Sequence, residues 1–338
     1  MKKDSLLKIE DLSVSFADHD DRIRILDEVS LAISEDEILG LVGESGSGKT
    51  VTALSIMRLL DPAAKIEQGR ICFRGEDLLA NSQRDMEQIR GSQISMIFQN
   101  PRSSLNPLKR VLSQVAKSYG RKKGVGRVEA LHRATELLKS VGFPDVERRA
   151  RSYPHQLSTG MCQRVMIAMM IASSPDLLIA DEATTALDPT IADQIYQLLH
   201  KIRQRTRMSI LIITHDLGLV AENCHRVAVM HAGHIVETAK VETIFEEPGH
   251  PYTSYLVRYI PRVDRKVALP SVRTTAVEEV DYASSGCRYA RKCKFAMEIC
   301  FGEKPEMQET APGHWVRCHF ATPEGFVQNA AETSNVRF

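Results

Sequence analysis

Gly43-Glu-Ser45-Gly46-Ser-Gly48-Lys49-Thr50 fits the pattern G-x-x-x-x-G-K-[ST]. The glycines let consecutive backbone N–H groups curl around a phosphate at a helix N-terminus. Lys49 is then in reach of β- and γ-phosphates, and the Thr50 hydroxyl is a ligand for Mg²⁺. A second constellation, Leu177-Leu-Ile-Ala180-Asp181-Glu182, is an apolar strand that delivers two carboxylates at its C-terminal end, where an open α/β sheet places its ligands. Asp181 suits holding Mg²⁺, mostly through water, and Glu182 suits polarising an attacking water. A glycine turn with a surface lysine, or a solvated Asp-Glu pair, is ordinary alone; together they point to phosphoryl chemistry.

Seven cysteines are the other reactive groups. Cys72, Cys162 and Cys224 are scattered and read as buried or neutral thiols, whereas Cys287, Cys293, Cys300 and Cys318 fall within 32 positions. The longest apolar run, Val165–Ala172, has eight residues where a membrane span needs roughly 20. The start, MKKDSLLKIEDLSVSF, has no apolar h-region, so a cytosolic, reducing compartment is expected. There such a cluster suggests metal before disulfide. The 44 Lys+Arg nearly cancel the 43 Asp+Glu, leaving +1, which makes nucleic acid a weak default partner.

These groups need elements to position them. The 338 residues amount to more than two typical domains of about 150, and 43% hydrophobic residues suffice for a buried core. Residues 6–16 and 23–33 read as strands. Ile38–Val42 is a short continuous apolar run, the mark of a strand buried on both faces, and it feeds the glycine loop. Ile94–Phe98, Leu177–Ala180 and Ile210–Ile213 are further buried strands, the last two separated by a helical stretch of about 191–205. The prediction is a doubly wound α/β core with a β-strand subdomain and a helical subdomain inserted over about 105–172. After Pro251 the strands stop recurring. Residues 261–285 read as a linker and 321–338 as a flexible tail.

Leu157-Ser158-Thr159-Gly160-Met161 resembles the signature sequence of ATP-binding cassette (ABC) ATPases. Gln99 resembles the Q-loop glutamine, Ala186-Leu187-Asp188 the D-loop, and His215 in ITHD the switch histidine, all in the family's order. Phe16 sits where the family has an aromatic that stacks on adenine. The resemblance implies a P-loop NTPase fold, residues 5–260, that binds ATP and Mg²⁺, with Thr50, Gln99 and Asp181 at the metal. It implies Glu182, His215 and Gln99 as catalytic groups. It further implies two cassettes facing head to tail, each ATP lying between the phosphate loop of one and the signature of the other. The chain departs from the family at Thr159, where glycine is usual, and at Cys162, where a basic residue is usual. A Cβ at position 159 is a steric burden on the site that uses this signature, which implies a heterodimer with a second, paralogous cassette.

His250-Pro251-Tyr252-Thr253 with Ile260-Pro261, and Cys287-x5-Cys293-x6-Cys300-x17-Cys318-His319, resemble the C-terminal region of the oligopeptide/dipeptide/nickel importer subfamily, with Arg291, Ala296, Pro305 and His314 at matching places. This assigns 261–320 to a small Cys-rich C-terminal domain, in which the subfamily's four cysteines can hold a [4Fe–4S] cluster. Spacing alone leaves zinc and free thiols open. Arg288, Arg291, Lys292 and Lys294 read as a solvated basic face. The resemblance implies an importer ATPase, peripheral on the cytoplasmic face of the membrane, with two transmembrane permeases and an extracytoplasmic solute-binding protein as partners. Peptide is the implied solute, with nickel or another small solute as the alternative within the subfamily. A soluble ABC ATPase acting on nucleic acid or ribosomes is the rival class.

Overall fold

The computed structural model describes residues 5–18, 21–184, 187–258, 282 and 284–321. Two long strands, β1 (Ser5–Asp18) and β2 (Asp21–Ser34), pair antiparallel where alternating apolar residues are read in the sequence. After β3 (Ile38–Val42), the chain returns through β4 (Ala64–Phe73) and β5 (Glu76–Asp77) to complete a four-stranded sheet in the order β2-β1-β4-β5.

The second sheet contains β3 with β6 (Ile94–Ile97), β7 (Leu177–Asp181), β8 (Ser209–Thr214), β9 (Arg226–His231), β10 (His234–Lys240), β11 (Met307–Ala311) and β12 (His314–Arg317). Its order is β11-β12-β10-β9-β3-β8-β7-β6, parallel from β9 to β6 and antiparallel beyond β9. The parallel strands carry mostly apolar residues because both faces are covered. Leu39, Leu41, Leu177, Ile179, Leu211 and Ile213 pack with the first sheet and α1 (Lys49–Met57). Ile38, Leu178, Ala180, Ile210 and Ile212 point the other way, into the helices.

Helix α2 (Gln83–Ile89) precedes β6, and the expected helical stretch holds α3 (Val111–Lys123), α4 (Arg127–Ser140), α5 (Val146–Arg149) and α6 (Thr159–Ile171). The crossover α7 (Pro189–Thr206) begins two residues before its expected start and is capped by Asp188, whose side chain accepts from Ile191 N–H. It is followed by α8 (Leu217–Asn223), α9 (Val241–Glu246), α10 (Pro251–Arg258) and α11 (Glu298–Gly302).

One expectation is overturned: strands do recur after Pro251. The β11–β12 hairpin continues the main sheet, Glu237 and Thr238 on β10 pairing with Val316 and Trp315 on β12. MQETA and HWVR lack the apolar alternation that marks a half-buried strand; Val316 is buried while Trp315 beside it is exposed. The basic run is corrected at one residue. The Arg288 side chain is only 3% exposed; it lies 3.7 Å from Asp27 and donates to the carbonyls of Ala232, Arg24 and Tyr282. Arg291, Lys292 and Lys294 are exposed as anticipated. Apart from residues 282, 284 and 285, the expected linker lies outside the described residues, as do Ala186 and residues 322–338 of the expected tail.

Candidate functional site

The loop from Gly43 to Thr50 joins the C-terminal end of β3 to the first turn of α1. A Cβ at Gly43 would stand 2.0 Å from the Met230 carbonyl oxygen, and one at Gly48, where φ is +105°, 2.7 Å from Leu26. Both positions therefore require glycine, the first for space and the second for space and backbone conformation. The Lys49 ammonium is buried in the curl, donating to the carbonyls of Gly43 and Glu44, each at 2.8 Å. Burial lowers its pKa, while Glu182 and Asp181 pull in the opposite direction.

β7 carries Asp181 and Glu182 to this loop. Asp181 is buried and hydrogen-bonded to the Thr50 side chain; burial is the main cause raising its carboxyl above the usual range. Two hard oxygen ligands so placed suit Mg²⁺. Glu182 has φ +48°, a strained conformation for a side-chain-bearing residue. Its carboxylate accepts from Gln99 Nε2 at 2.7 Å and lies 3.2 Å from His215 Nδ1. These three side chains converge because β6, β7 and β8 are neighbours and Gln99, Glu182 and His215 each follow the end of one of them. Asp216, next to His215, caps α8 by accepting from the N–H groups of Gly218 and Leu219.

A cavity of about 490 Å³ is lined by Phe16, Ser45, Gly46, Gly48, Lys49, Thr50, Gln99 and Glu182. Ile25, Val51 and Tyr282 also line it, and none of these was singled out from sequence. Tyr282 donates its hydroxyl hydrogen to the Gly46 carbonyl at 2.8 Å, and the Arg288 guanidinium lies 5.3 Å over its ring. A lone tyrosine in a polar stretch carries no local signal of such a contact.

The signature residues Leu157, Ser158, Thr159, Gly160 and Met161 are not among the residues that line this cavity. Ser158 instead caps α6, its hydroxyl accepting from Met161 N–H at 3.3 Å, with Thr159 exposed in the first turn. Leu157 and Met161 are buried, and Cys162 is buried within the helical core.

Cys287, Cys293, Cys300 and Cys318 line one small cavity of about 10 Å³ together with His250, Tyr289 and Phe295. Burial pushes the Cys293 and Cys318 thiols up to about 11 and 12 and raises Cys287 as well. Among the described residues, no group of three or more His, Cys, Asp or Glu side chains is arranged to hold a metal ion.

Residues 26–185 match the family model "ABC transporter", and residues 236–300 match "Oligopeptide/dipeptide transporter, C-terminal region". The chain is 45% identical over 320 residues to the "Probable peptide ABC transporter ATP-binding protein y4tR" of Sinorhizobium fredii, covering 94% of this chain and 95% of that one. The chain belongs to the ABC transporter family. Within it, this ATP-binding cassette is of the oligopeptide/dipeptide type and is an ATPase. It is also 41% identical to the "Dipeptide transport ATP-binding protein DppD" of Escherichia coli, over 94% of this chain and 97% of that one. The cassette's fold matches the dimeric post-hydrolysis state of the ATP-binding cassette MJ0796 bound to ADP and Pi, with a TM-score of 0.64 and 28% identity, over 70% of this chain and 98% of that one.

Proposed function

We propose that this chain binds ATP in the cavity floored by residues 43–50 and hydrolyses it to drive peptide uptake through two partner permeases. The observation that carries the hydrolytic role is the Glu182 carboxylate, held between Gln99 and His215 beside Lys49 and Asp181. Phe16 lies at the cavity wall, where it can stack on the adenine. Ser45, Gly46, Gly48 and Lys49 then face the phosphates. Mg²⁺ on Thr50, Asp181 and Gln99 would neutralise phosphate charge. Glu182 accepts a proton from the attacking water, and His215 at its other oxygen senses the γ-phosphate.

Peptide as the solute is supported by the relatives' printed names and by the matched C-terminal region. Among the described residues no helix is long and apolar enough to cross a membrane, so in this reading the cassette works from the cytoplasmic face, docked on its permeases. An extracytoplasmic binding protein delivers the solute. Thr159 supports pairing with a paralogous cassette, in which the site built on this chain's Lys49 and Glu182 carries most turnover.

The C-terminal residues 261–320 form the remaining unit of this reading. What supports a [4Fe–4S] cluster is the donor set alone, four cysteines lining one small cavity, with zinc the lesser alternative. The cluster would cross-link a segment too poor in apolar residues to build its own core.

The test of the transport role is reconstitution of this chain with its neighbouring permeases, partner cassette and binding protein in vesicles. ATP-dependent uptake of a peptide, lost in Lys49→Ala, is the expected result. Uptake of nickel with no peptide transport overturns the solute assignment. Anaerobically purified protein should contain about four irons per chain, and stoichiometric zinc without iron overturns the cluster assignment.

A further inference from the structure

The His-Pro-Tyr-Thr motif has no part in the hydrolytic constellation, yet it is among the most buried polar sequence in the chain. His250, Tyr252 and Thr253 are 1%, 1% and 0% exposed. Glu237 on β10, fully buried, holds the start of the motif. Its carboxylate accepts from the backbone N–H groups of Gly249 and His250, at 2.7 and 2.9 Å, and from His314 on β12 at 2.7 Å. His250 Nδ1 in turn accepts from Tyr252 N–H. The start of α10 is thus held by the Glu237 and His250 side chains, with His314 fixing Glu237, which sets the direction of the Tyr252 ring.

That ring runs toward the back of the phosphate loop. The Tyr252 hydroxyl oxygen accepts from Glu44 N–H at 3.0 Å, and the Glu44 carbonyl accepts from the Lys49 ammonium. One residue of the loop is therefore held on both of its backbone polar groups, by the tyrosine behind and by the lysine within. His231, whose neighbour Met230 closes against Gly43, packs on the Tyr252 ring with centroids 4.4 Å apart and the planes tilted by 52°. Tyr289 meets the same ring edge-on at 5.3 Å and also meets His231 edge-on at 5.2 Å, and Tyr289 lines the four-cysteine cavity.

We propose that Tyr252 is a positioning residue for the phosphate loop, its hydroxyl fixing the Glu44 peptide from the side opposite the nucleotide. The physical need is clear from the loop's composition. Residues 43–48 contain three glycines and two serines, a stretch with large conformational freedom to lose on ordering. A rigid external acceptor at Glu44 N–H removes part of that freedom before nucleotide arrives, so affinity gains without any contact to the ligand. Through Tyr289 the same ring makes the packing of the C-terminal cysteine region a determinant of that order.

This inference rests on reading residues 43–50 as the nucleotide cradle, and Lys49→Ala tests that reading separately: it should abolish binding of a fluorescent ATP analogue, and retained binding would fault the cradle itself. The variant for the inference is Tyr252→Phe in the full chain, assembled with its partners for turnover, because it keeps the ring and removes only the acceptor. KM for ATP should rise roughly 3–20-fold, the range for one lost part-buried hydrogen bond, with kcat within about twofold because Gln99, Glu182 and His215 are untouched. Unchanged KM in a folded variant, or a fall in kcat at unchanged KM, overturns the proposal and leaves Tyr252 a core aromatic. If the variant does not fold, amide exchange on the wild-type chain decides: Glu44 N–H should be protected in nucleotide-free protein, and exchange at the rate of an unstructured amide overturns the proposal.

Discussion

Replacing Glu182 with glutamine changes one oxygen for an amide nitrogen at the point where Gln99 and His215 meet. Gln99 donates at 2.7 Å to one carboxylate oxygen and His215 lies 3.2 Å from the other, so a glutamine carbonyl can still accept from one neighbour while the proton acceptor and the charge are gone. The loss of a general base costs about 10²–10⁴ in turnover, which is about 3–5 kcal/mol of barrier. Binding should change far less. Lys49 keeps its contacts to the loop carbonyls, and Asp181, whose carboxyl is raised in part by the Glu182 charge, is relieved of a like neighbour. The assay is phosphate release by the assembled transporter alongside equilibrium titration with a fluorescent ATP analogue. The expected outcome for Glu182→Gln is affinity within about fivefold of the parent, with kcat lower by at least a hundredfold. A variant that binds ATP and turns over within tenfold of the parent would refute the assignment of Glu182 as the base.

Gly43→Ala should weaken nucleotide binding by at least about fivefold, because its Cβ would lie 2.0 Å from the Met230 carbonyl oxygen, and overpacking of that kind costs about 1–3 kcal/mol; parental affinity in the same titration would contradict the geometry. Thr159→Gly, at an exposed position in the first turn of α6, should raise turnover of the assembled transporter by no more than about threefold, or ~0.7 kcal/mol. A tenfold gain would mean that the site using this signature limits turnover, against the assignment of most turnover to the site built on Lys49 and Glu182. Burial holds His234 down to about 4, beside Asp27 at 2.8 Å, whereas the unfolded chain protonates this side chain near its ordinary value. Between those values the unfolded state binds more protons, so stability is full above about pH 6.5 and falls on acidification by up to about 1.4 kcal/mol per pH unit. Urea midpoints at pH 7 and pH 5 should differ accordingly and the difference should shrink in His234→Gln; equal midpoints at the two pH values for the parent would count against it.

Local chemistry was legible in the sequence wherever one short segment carries its own geometry. Gly43 to Thr50 announces a phosphate cradle because a strand, a glycine loop and a helix start follow one another without interruption, and Leu177 to Glu182 announces a buried strand with carboxylates at its end. The same holds for β3, β7 and β8, whose unbroken apolar runs require cover on both faces.

Tertiary structure alone decided which distant groups meet. Glu182 lies 83 positions from Gln99 and 33 from His215, and only the neighbouring order of β6, β7 and β8 brings the three together. Tyr252 reaches Glu44 across 208 positions, and Tyr282 reaches Gly46 across 236. Arg288 looked like part of a solvated basic run and is instead a buried partner of Asp27. The β11–β12 hairpin has almost no apolar alternation, and its place in the sheet comes from backbone pairing with the edge of β10 rather than from a pattern of its own. A segment's pattern records how its residues share water and core along the chain; it does not record which backbone edge, carbonyl or carboxylate another segment will offer, and that is fixed only when the sheet closes.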